Sequence, residues 1–486
     1  MLIARQKEIA ILTRSIESDQ AEFLIVYGRR RIGKTYLIKT FFEKIPCVFF
    51  RVTGIQNGKL REHLEEFSKE IGRVFYGGAK VETPGNWMRA FEALTNAVEF
   101  QKSNEPVILF MDEFPWMATP RSRLLQALEY YWNRFWNDNK KIKLIICGSS
   151  ASWIVKKIIH NKGGLHNRIT NRIQLAPFSL SETKQFLTHK TFKLSNQQIM
   201  EIYFVLGGVP YYLNQLNKNL SVSENINELC FQTSSPLFNE FEKLLASLFK
   251  KPEKYEEIIR IISQNRHGTS RSIIEKKIRL NDKGGALTGY LKDLETVGFI
   301  KSFLPIENAK RGTFYRITDE YLIFYLQWIE VEKNNIELEI QDGNYWLQLI
   351  QLPRFQSWRG YAFESVCYKH VSHIKNALKI KVASKIGAWR YVPRDNKNNQ
   401  GAQIDLLFDR SDDAISVCEI KYSDKPFVID KSYAAALNNR IDIFKSITRT
   451  KKQIFLCMIT ASGLHKNKYA SELVSATVEI NDFFNE

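Results

Sequence analysis

The sequence lacks the paired cysteines of a disulfide or zinc framework. Its six cysteines, Cys47, Cys147, Cys230, Cys367, Cys418 and Cys457, are scattered over 486 residues without a CxxC pair. Small reduced core thiols of an intracellular protein are expected instead. Long apolar runs are also missing, since none approaches the roughly 18 residues that a membrane span requires. No hydrophobic leader precedes the first nucleotide-binding signal. These absences predict a water-soluble, cytoplasmic chain. Acidic residues fall short of basic ones, 52 against 70, which leaves a formal charge of +18. A solvated basic surface is common, but the excess makes an anionic polymer the natural partner. It gathers late in the chain: residues 251–316 hold 14 basic and 8 acidic residues, and residues 346–486 carry a net +7.

The length exceeds one hydrophobic core and suggests about three or four domains. Near the start, GRRRIGKT supplies Gly28, Arg29, Arg30, Arg31, Ile32, Gly33, Lys34 and Thr35 in the spacing GxxxxGK[ST]. EFLIVY before it has the length of a buried strand, and TYLIKTFFEK after it has helical spacing. Strand, glycine loop, helix is the order of a phosphate-binding loop. Its backbone N–H groups and helix N-terminus favour anions. Lys34 is expected on the β/γ-phosphates of ATP and Thr35 on Mg²⁺.

PVILFMDEFPW places Asp112 and Glu113 at the end of a continuous apolar strand. A buried strand gains nothing structural from two adjacent carboxylates. Function explains them: Asp112 for the Mg²⁺ shell, Glu113 to orient or deprotonate the attacking water. CVFFRV between the two motifs reads as a further strand, and KLIICGSSAS as the next. Ser149 or Ser150 at its end is a candidate γ-phosphate sensor; a helix cap is the plain alternative. Arg168 and Arg172 in HNRITNRIQL are candidates for a finger reaching a neighbouring subunit, with Arg168 preferred. That role requires a homo-oligomer.

FSLSETKQFL and QQIMEIYFVLGGVPYYLNQL predict a helical lid, broken at Gly207, Gly208 and Pro210 by a turn that either senses nucleotide or is structural. KYEEIIRIISQN, TSRSIIEKKI and GGALTGYLKDLETVGFI predict three helices, and IKSFLPI with TFYRITD a hairpin. Together they predict a winged helix-turn-helix. Thr288, Tyr290 and Lys292 are its candidate base-reading residues, and Lys310 and Arg311 its phosphate contacts. A module for protein contacts is the alternative.

AQIDLLFD and ISVCEIKYS are strand-like and flank the polar turn RSDD. A hairpin centred on Asp412 sets Asp405 opposite Glu419, and Lys421, two residues on, shares the face of Glu419. Two carboxylates and a lysine then meet at one point. Oxygen ligands of this kind suit Mg²⁺, with Mn²⁺ as an alternative, and the lysine suits a catalytic role on water or phosphate. A salt-bridged surface hairpin is the competing interpretation. His370 and His373 are read on one helix, either as a metal pair or as a satisfied polar face.

Arg5 and Glu8, GRRRIGKT, LFMDEFPW, ICGSSAS, HNR, GGVPYYL and YRITDEYLIFYLQW, in that order, resemble the archaeal-type ATPases of the AAA/STAND group. The strand inserted between the two ATPase motifs, and Glu next to the Asp, agree with this branch. Asn167 stands where the family has a glycine before the finger arginine. The resemblance implies an ATP-binding switch and a C-terminal domain similar to restriction endonucleases, in which Glu364 of RGYAFESVCYKHV completes the metal shell. The expected fold is multidomain α/β: a P-loop ATPase core over 1–178, a helical lid over 179–245, a winged helix over 246–330 and a restriction-endonuclease-like domain over 331–486. ATP binding and hydrolysis would gate a metal-dependent nuclease acting on DNA or RNA. The alternatives are a non-cutting nucleic-acid-binding ATPase and a STAND-type signalling switch.

Overall fold

The computed structural model describes residues 2–485 apart from 161–162, 166, 280–283, 305–311, 339–342, 392 and 394–400. The chain divides into two compact units. The first comprises Met1–Pro177 with Val209–Tyr211 and Ala246–Lys250, and the second Phe178–Gly208, Tyr212–Leu245 and Lys251–Glu486.

In the first unit five short apolar runs form one parallel sheet: β1 (Glu22–Tyr27), β2 (Val48–Thr53), β3 (Val107–Asp112), β4 (Ile142–Gly148) and β5 (Asn171–Gln174), in the order β2-β3-β4-β1-β5. Parallel neighbours need crossovers, and the helices between the strands supply them. Both faces are therefore covered, so β3 and β4 are buried along their whole length and read as unbroken apolar runs. Alternation sends successive residues to opposite cores. Phe23, Ile25, Leu109, Met111, Leu144 and Ile146 join one, while Leu24, Val26, Ile108, Phe110, Ile145 and Cys147 join the other. Every strand runs the same way, so the loops after β1, β3 and β4 leave from one edge of the sheet. β4 lies between β1 and β3, which brings the glycine loop, Asp112–Glu113 and Ser149 to that edge. Open α/β sheets hold ligands there.

The second unit begins with helices Leu180–His189 and Asn196–Leu206, each started by a serine in a reciprocal capping box. The second helix ends at Gly207, φ 59°, where a Cβ would meet Glu320 Oε2 at 2.3 Å. At Gly208, φ 71°, a Cβ would meet Phe178 O at 2.1 Å. Close approach of backbone thus accounts for both glycines.

Three further helices, Pro252–Ser263, Arg271–Lys277 and Gly285–Thr296, accompany an antiparallel sheet of β6 (Thr269–Ser270), β7 (Ile300–Phe303) and β8 (Phe314–Ile317), ordered β6-β8-β7. The β7/β8 hairpin follows the alternation of its sequence. β6 has no such signal, because Ser270 both pairs with Phe314 and caps the next helix by accepting from Ile273 N–H.

The C-terminal part is a mixed sheet, β9 (Ser384–Tyr391), β10 (Ala402–Arg410), β11 (Ala414–Lys421), β12 (Gln453–Thr460) and β13 (Ala476–Glu479), ordered β13-β12-β11-β10-β9. β9, β10 and β11 are antiparallel meanders; β12 returns parallel to β11 after the crossover helix Lys431–Thr448. Trp389, Leu407, Val417, Leu437, Phe444 and Met458 form the core beneath that helix. The helix Pro353–Lys369 precedes the sheet and ends at His370, φ −108°. His370 and His373 are therefore not on one helix as expected, for a second helix, Val371–Ala377, starts between them. His370 is buried with Nδ1 3.0 Å from Val366 O, and burial holds its pKa down at about 3. It is a satisfied core histidine. All six cysteines are free thiols, and among the described residues no helix is long and apolar enough to cross a membrane.

Candidate functional site

Two constellations of chemical groups emerge, one in each unit. In the first, Gly28 at φ 150° packs so tightly that a Cβ would lie 2.3 Å from Leu175 O, and Gly33 at φ 88° opens the helix Lys34–Phe42. No other residue type holds these dihedrals without strain. Arg29 and Ile32 are buried, whereas Arg30 is exposed. Arg31, φ 72°, carries its guanidinium 4.4 Å over the Tyr211 ring, and Tyr211 N–H donates to Arg31 O at 3.3 Å. Arg5 donates to Ile32 O at 3.2 Å, which ties the start of the chain to the loop.

Lys34 Nζ donates to Gly28 O at 3.0 Å and Arg29 O at 2.9 Å, so the ammonium lies folded over its own loop. Burial holds its pKa below the ordinary lysine value. Thr35 Oγ1 donates to both oxygens of Asp112, at 3.1 and 2.9 Å. The expected pair is thus in contact: a hydroxyl and a carboxylate at a helix N-terminus, hard oxygen donors of the kind Mg²⁺ takes. Glu113 sits in a left-handed conformation, φ 46°, and its Oε2 accepts from Ser149 N–H at 3.0 Å and Ser149 Oγ at 2.8 Å. Ser149 reaches this carboxylate directly. Arg51 also belongs to the site, its Nη2 3.0 Å from Asp112 Oδ2. The signal for it in the sequence is a charge in the middle of the apolar run VFFRV. Arg168 is exposed, and among the described residues its side chain makes no hydrogen bond or ion pair to this site.

In the second unit the β10/β11 register runs from Asp409 with Ile415 to Leu406 with Cys418, so Asp405 and Glu419 are the next residues beyond its last pair. Asp405 accepts from Ile420 N–H and Gln403 Nε2, both at 3.2 Å. Glu419 is ion-paired to Lys421 at 3.0 Å and Arg440 at 2.8 Å, and it accepts from Tyr433 OH. Burial presses the Glu419 carboxyl up, but Lys421 and Arg440 outweigh it and the net shift is down. Burial raises Asp405, and Glu419 raises it further. Glu364, on the preceding helix, is pushed up to about 8 by burial and then by Asp405, against the pull of Arg316 and Lys421. Glu364, Asp405, Glu419 and Lys421 are thus electrostatic neighbours. Among the described residues, however, no three His, Cys, Asp or Glu side chains form a group able to hold a metal ion. Glu419 is engaged by cations instead. Glu364 and Asp405, raised chiefly by burial, make no ion pair among the described residues.

Lys310 and Arg311 lie outside the described residues. Thr288 Oγ1 donates to Gly284 O and accepts from Arg271 Nη2, both at 2.9 Å, while Tyr290 packs edge-on against Tyr255 and Lys292 is exposed. Arg316 of β8 instead lies 3.6 Å over the ring of Tyr368, whose hydroxyl donates to Asp405 O, and 4.2 Å over Phe303. Arg266 lies 5.4 Å over Tyr361, and His267 Nδ1 is 3.1 Å from Gln403 Nε2. Burial lowers the His267 pKa, and Arg390, Arg266 and Arg316 lower it further. Arg316 was visible in TFYRITD only as an arginine flanked by aromatic and β-branched residues; the fold supplies its neighbours.

Residues 2–216 match a family described as an ATPase domain predominantly from Archaea, and residues 325–435 a family described as "Archaea bacterial proteins of unknown function". The chain is 27% identical over 430 residues to the uncharacterized protein MJECL04 of Methanocaldococcus jannaschii, covering 87% of this chain and 88% of that one. Among solved structures it is similar to the Walker-type ATPase Paby2304 of Pyrococcus abyssi, with 19% identity, TM-score 0.47, and 67% and 96% of the two chains covered. It is also similar to the Aeropyrum pernix ORC2 protein in ADPNP–ADP complexes, with 17% identity, TM-score 0.44, and 70% and 95% covered. The ATPase-domain match covers less than half of the chain and contains the glycine loop, Asp112, Glu113 and Ser149.

Proposed function

We propose, starting from an ATPase domain over residues 2–216, that the protein is an ATP-hydrolysing switch that gates a metal-dependent nuclease in its C-terminal sheet. The reading rests above all on Asp405 and Glu419, electrostatic neighbours just beyond the last β10/β11 pair, with Lys421 ion-paired to Glu419 at 3.0 Å. Burial and then Asp405 raise the Glu364 pKa, burial and then Glu419 raise that of Asp405, and half-buried carboxylates in that state fit a hard divalent cation such as Mg²⁺ or Mn²⁺. A divalent ion held by Glu364 and Asp405, and by Glu419 once it is drawn from Lys421 and Arg440, would lower the pKa of a water and offset charge on a phosphodiester. Lys421 would orient that water or balance the phosphate. Tyr433 and Arg440 hold Glu419 in place. In the ATP site, Lys34 would turn from its loop carbonyls to the β/γ-phosphates, and Thr35 with Asp112 would hold Mg²⁺. Glu113 would orient the attacking water.

Nucleic acid as the partner is supported by the net charge, by Arg316 beside Glu364 and by Arg266 and Arg390 near His267. Three helices with a three-stranded sheet support a winged-helix reading of residues 252–317. DNA and RNA share the phosphodiester that this chemistry addresses. Assembly of copies on ATP binding is part of the proposal, with Arg168 as an exposed candidate finger.

The test is cleavage of labelled single- and double-stranded DNA and RNA by the full chain, with Mg²⁺ or Mn²⁺ and with or without ATP. Asp405→Ala, Glu419→Ala and Lys421→Ala are each expected to abolish cleavage and to leave ATP hydrolysis in place. Undiminished cleavage in Asp405→Ala would remove this hairpin from the reaction. Nucleic-acid binding without cleavage or metal uptake by any form would favour the non-cutting ATPase.

A further inference from the structure

We infer that Arg51 is the resident counter-ion of Asp112, holding the metal-binding carboxylate until Mg²⁺ arrives with the nucleotide, and so a positioning residue of the ATP reaction. The inference rests on the ATP-site reading above. It begins with a charge in an apolar strand. β2 is VFFRVT, at the edge of the sheet. Phe50 and Val52 face one core; Phe49, two residues from Arg51, packs against the other, which contains Leu37, Ile38 and Phe42 of the phosphate-loop helix. Side chains two apart share a strand face, so Arg51 lies on the face of that helix.

The guanidinium is fixed there by its contacts. Arg51 N–H donates to Glu70 Oε1 at 3.1 Å, which holds the backbone, and Nη2 reaches Asp112 Oδ2 at 3.0 Å. Asp112 is 2% exposed. Its oxygens also accept from Thr35 Oγ1 and Glu113 N–H, both neutral donors. Lys34, the other nearby cation, donates to loop carbonyls. Among the described residues Arg51 is therefore the one cation hydrogen-bonded to Asp112. A buried carboxylate without a counter-ion is costly, so the pair is strongly favoured while no metal is present. Arg51 Nε is buried without a partner among the described residues, so the guanidinium is not fully satisfied where it stands.

Thr35 and Asp112 are also the oxygen donors of the Mg²⁺ site. A guanidinium and a metal ion on the same carboxylate repel each other, so Mg²⁺ at Asp112 would weaken the Arg51 contact. Without metal Arg51 cancels the charge of Asp112; with Mg²⁺ held by Thr35 and Asp112 that charge would be met by the ion, and the Arg51 guanidinium would be free to turn toward the anion. This exchange makes metal and nucleotide arrive together.

Arg51→Met keeps the length of the side chain and removes its charge. The full-length variant without nucleotide should melt about 4 °C or more below wild type. Millimolar MgCl₂ alone should raise its melting temperature more than that of wild type, since Asp112 is then open to the ion. Its affinity for ATP in EDTA should fall about tenfold or more, because an unbalanced Asp112 repels the triphosphate. Affinity in Mg²⁺ should fall much less, and Arg51→Lys should recover part of the EDTA affinity. A residue that only packs would weaken both states alike. An equal response to MgCl₂ and an unchanged ratio of the two affinities would overturn the inference. Should Arg51→Met fail to fold, Arg51→Met with Asp112→Asn removes the charge together with its partner and is expected to fold; equal failure of the pair would also overturn it. Absence of ATP binding by wild type in either buffer would instead remove the ATP-site reading itself.

Discussion

Glu113 Oε2 accepts both the backbone N–H of Ser149, at 3.0 Å, and its hydroxyl, at 2.8 Å. The carboxylate beside Asp112 is thereby held from the end of β4, the strand between β3 and β1. Its aim depends on a neighbouring strand. Glu113→Gln keeps the shape and loses the base, so ATP should still bind while hydrolysis falls about 10²-fold or more. Ser149→Ala keeps the N–H and loses the hydroxyl, which should lower kcat about tenfold with little change in ATP affinity. Lys34→Ala should lose binding itself. Turnover by phosphate release and binding by calorimetry separate the three, and equal turnover by wild type and Glu113→Gln would take Glu113 out of the reaction.

Local regularity made part of this architecture legible. The strands before the glycine loop and before Asp112 could be read because a parallel strand covered on both faces leaves an apolar run bounded by polar residues. The β10/β11 hairpin could be read because two alternating strands flank a polar turn, and its register pairs Leu406 with Cys418. Contacts distant in sequence were not legible. Arg51 on Asp112 spans 61 residues, and His267 on Gln403 spans 136; neither leaves a local pattern. β6 is only two residues long and doubles as a helix cap. His370 and His373 look like one helical face, but φ −108° at His370 ends the helix between them.

Arg440 and Lys421 both neutralise Glu419, from a helix and from its own strand. The folded Glu419 pKa lies below its ordinary value, so this pairing stabilises the fold above the unfolded carboxylate pKa and is lost as pH falls through the folded one. Arg440→Ala should cost about 1–2 kcal/mol at neutral pH, the order of a hydrogen bond to a charged group. The gap to wild type should close below about pH 4. Urea melts at the two pH values check this, and a gap independent of pH would assign the loss to packing of the arginine stem.

Glu364 behaves in the opposite sense. Burial and Asp405 push its pKa up to about 8, against roughly 4.3 when unfolded. Between these values the folded chain binds a proton that the unfolded chain has released. Its contribution to stability is therefore complete below the unfolded pKa and declines as pH rises toward 8. Wild type should lose melting temperature from about pH 5 to pH 8 more steeply than Glu364→Gln, which carries no titrating proton. Divalent ion added near pH 8 should restore wild type and not the variant. Parallel curves would place the titration elsewhere.

On the proposed function, Arg316 would govern how the acids meet an anionic polymer. Its guanidinium lies 3.6 Å over Tyr368 and 4.2 Å over Phe303, so two aromatic rings hold it flat. Tyr368 in turn donates to the carbonyl of Asp405. A cation fixed beside carboxylates suits a phosphate that must approach negative groups without being repelled. Arg316→Ala should weaken binding to unrelated sequences about equally and reduce the slope of log affinity against log salt by about 0.9 on duplex DNA, the loss of one phosphate contact. Tyr368→Phe keeps the ring and should leave that slope unchanged, which separates the charge from its platform. Binding measured across a salt series for the three proteins gives the answer. A slope identical in wild type and Arg316→Ala would mean that the arginine only packs on Tyr368, and the phosphate contacts would then have to come from Arg266, Arg390 or Lys292.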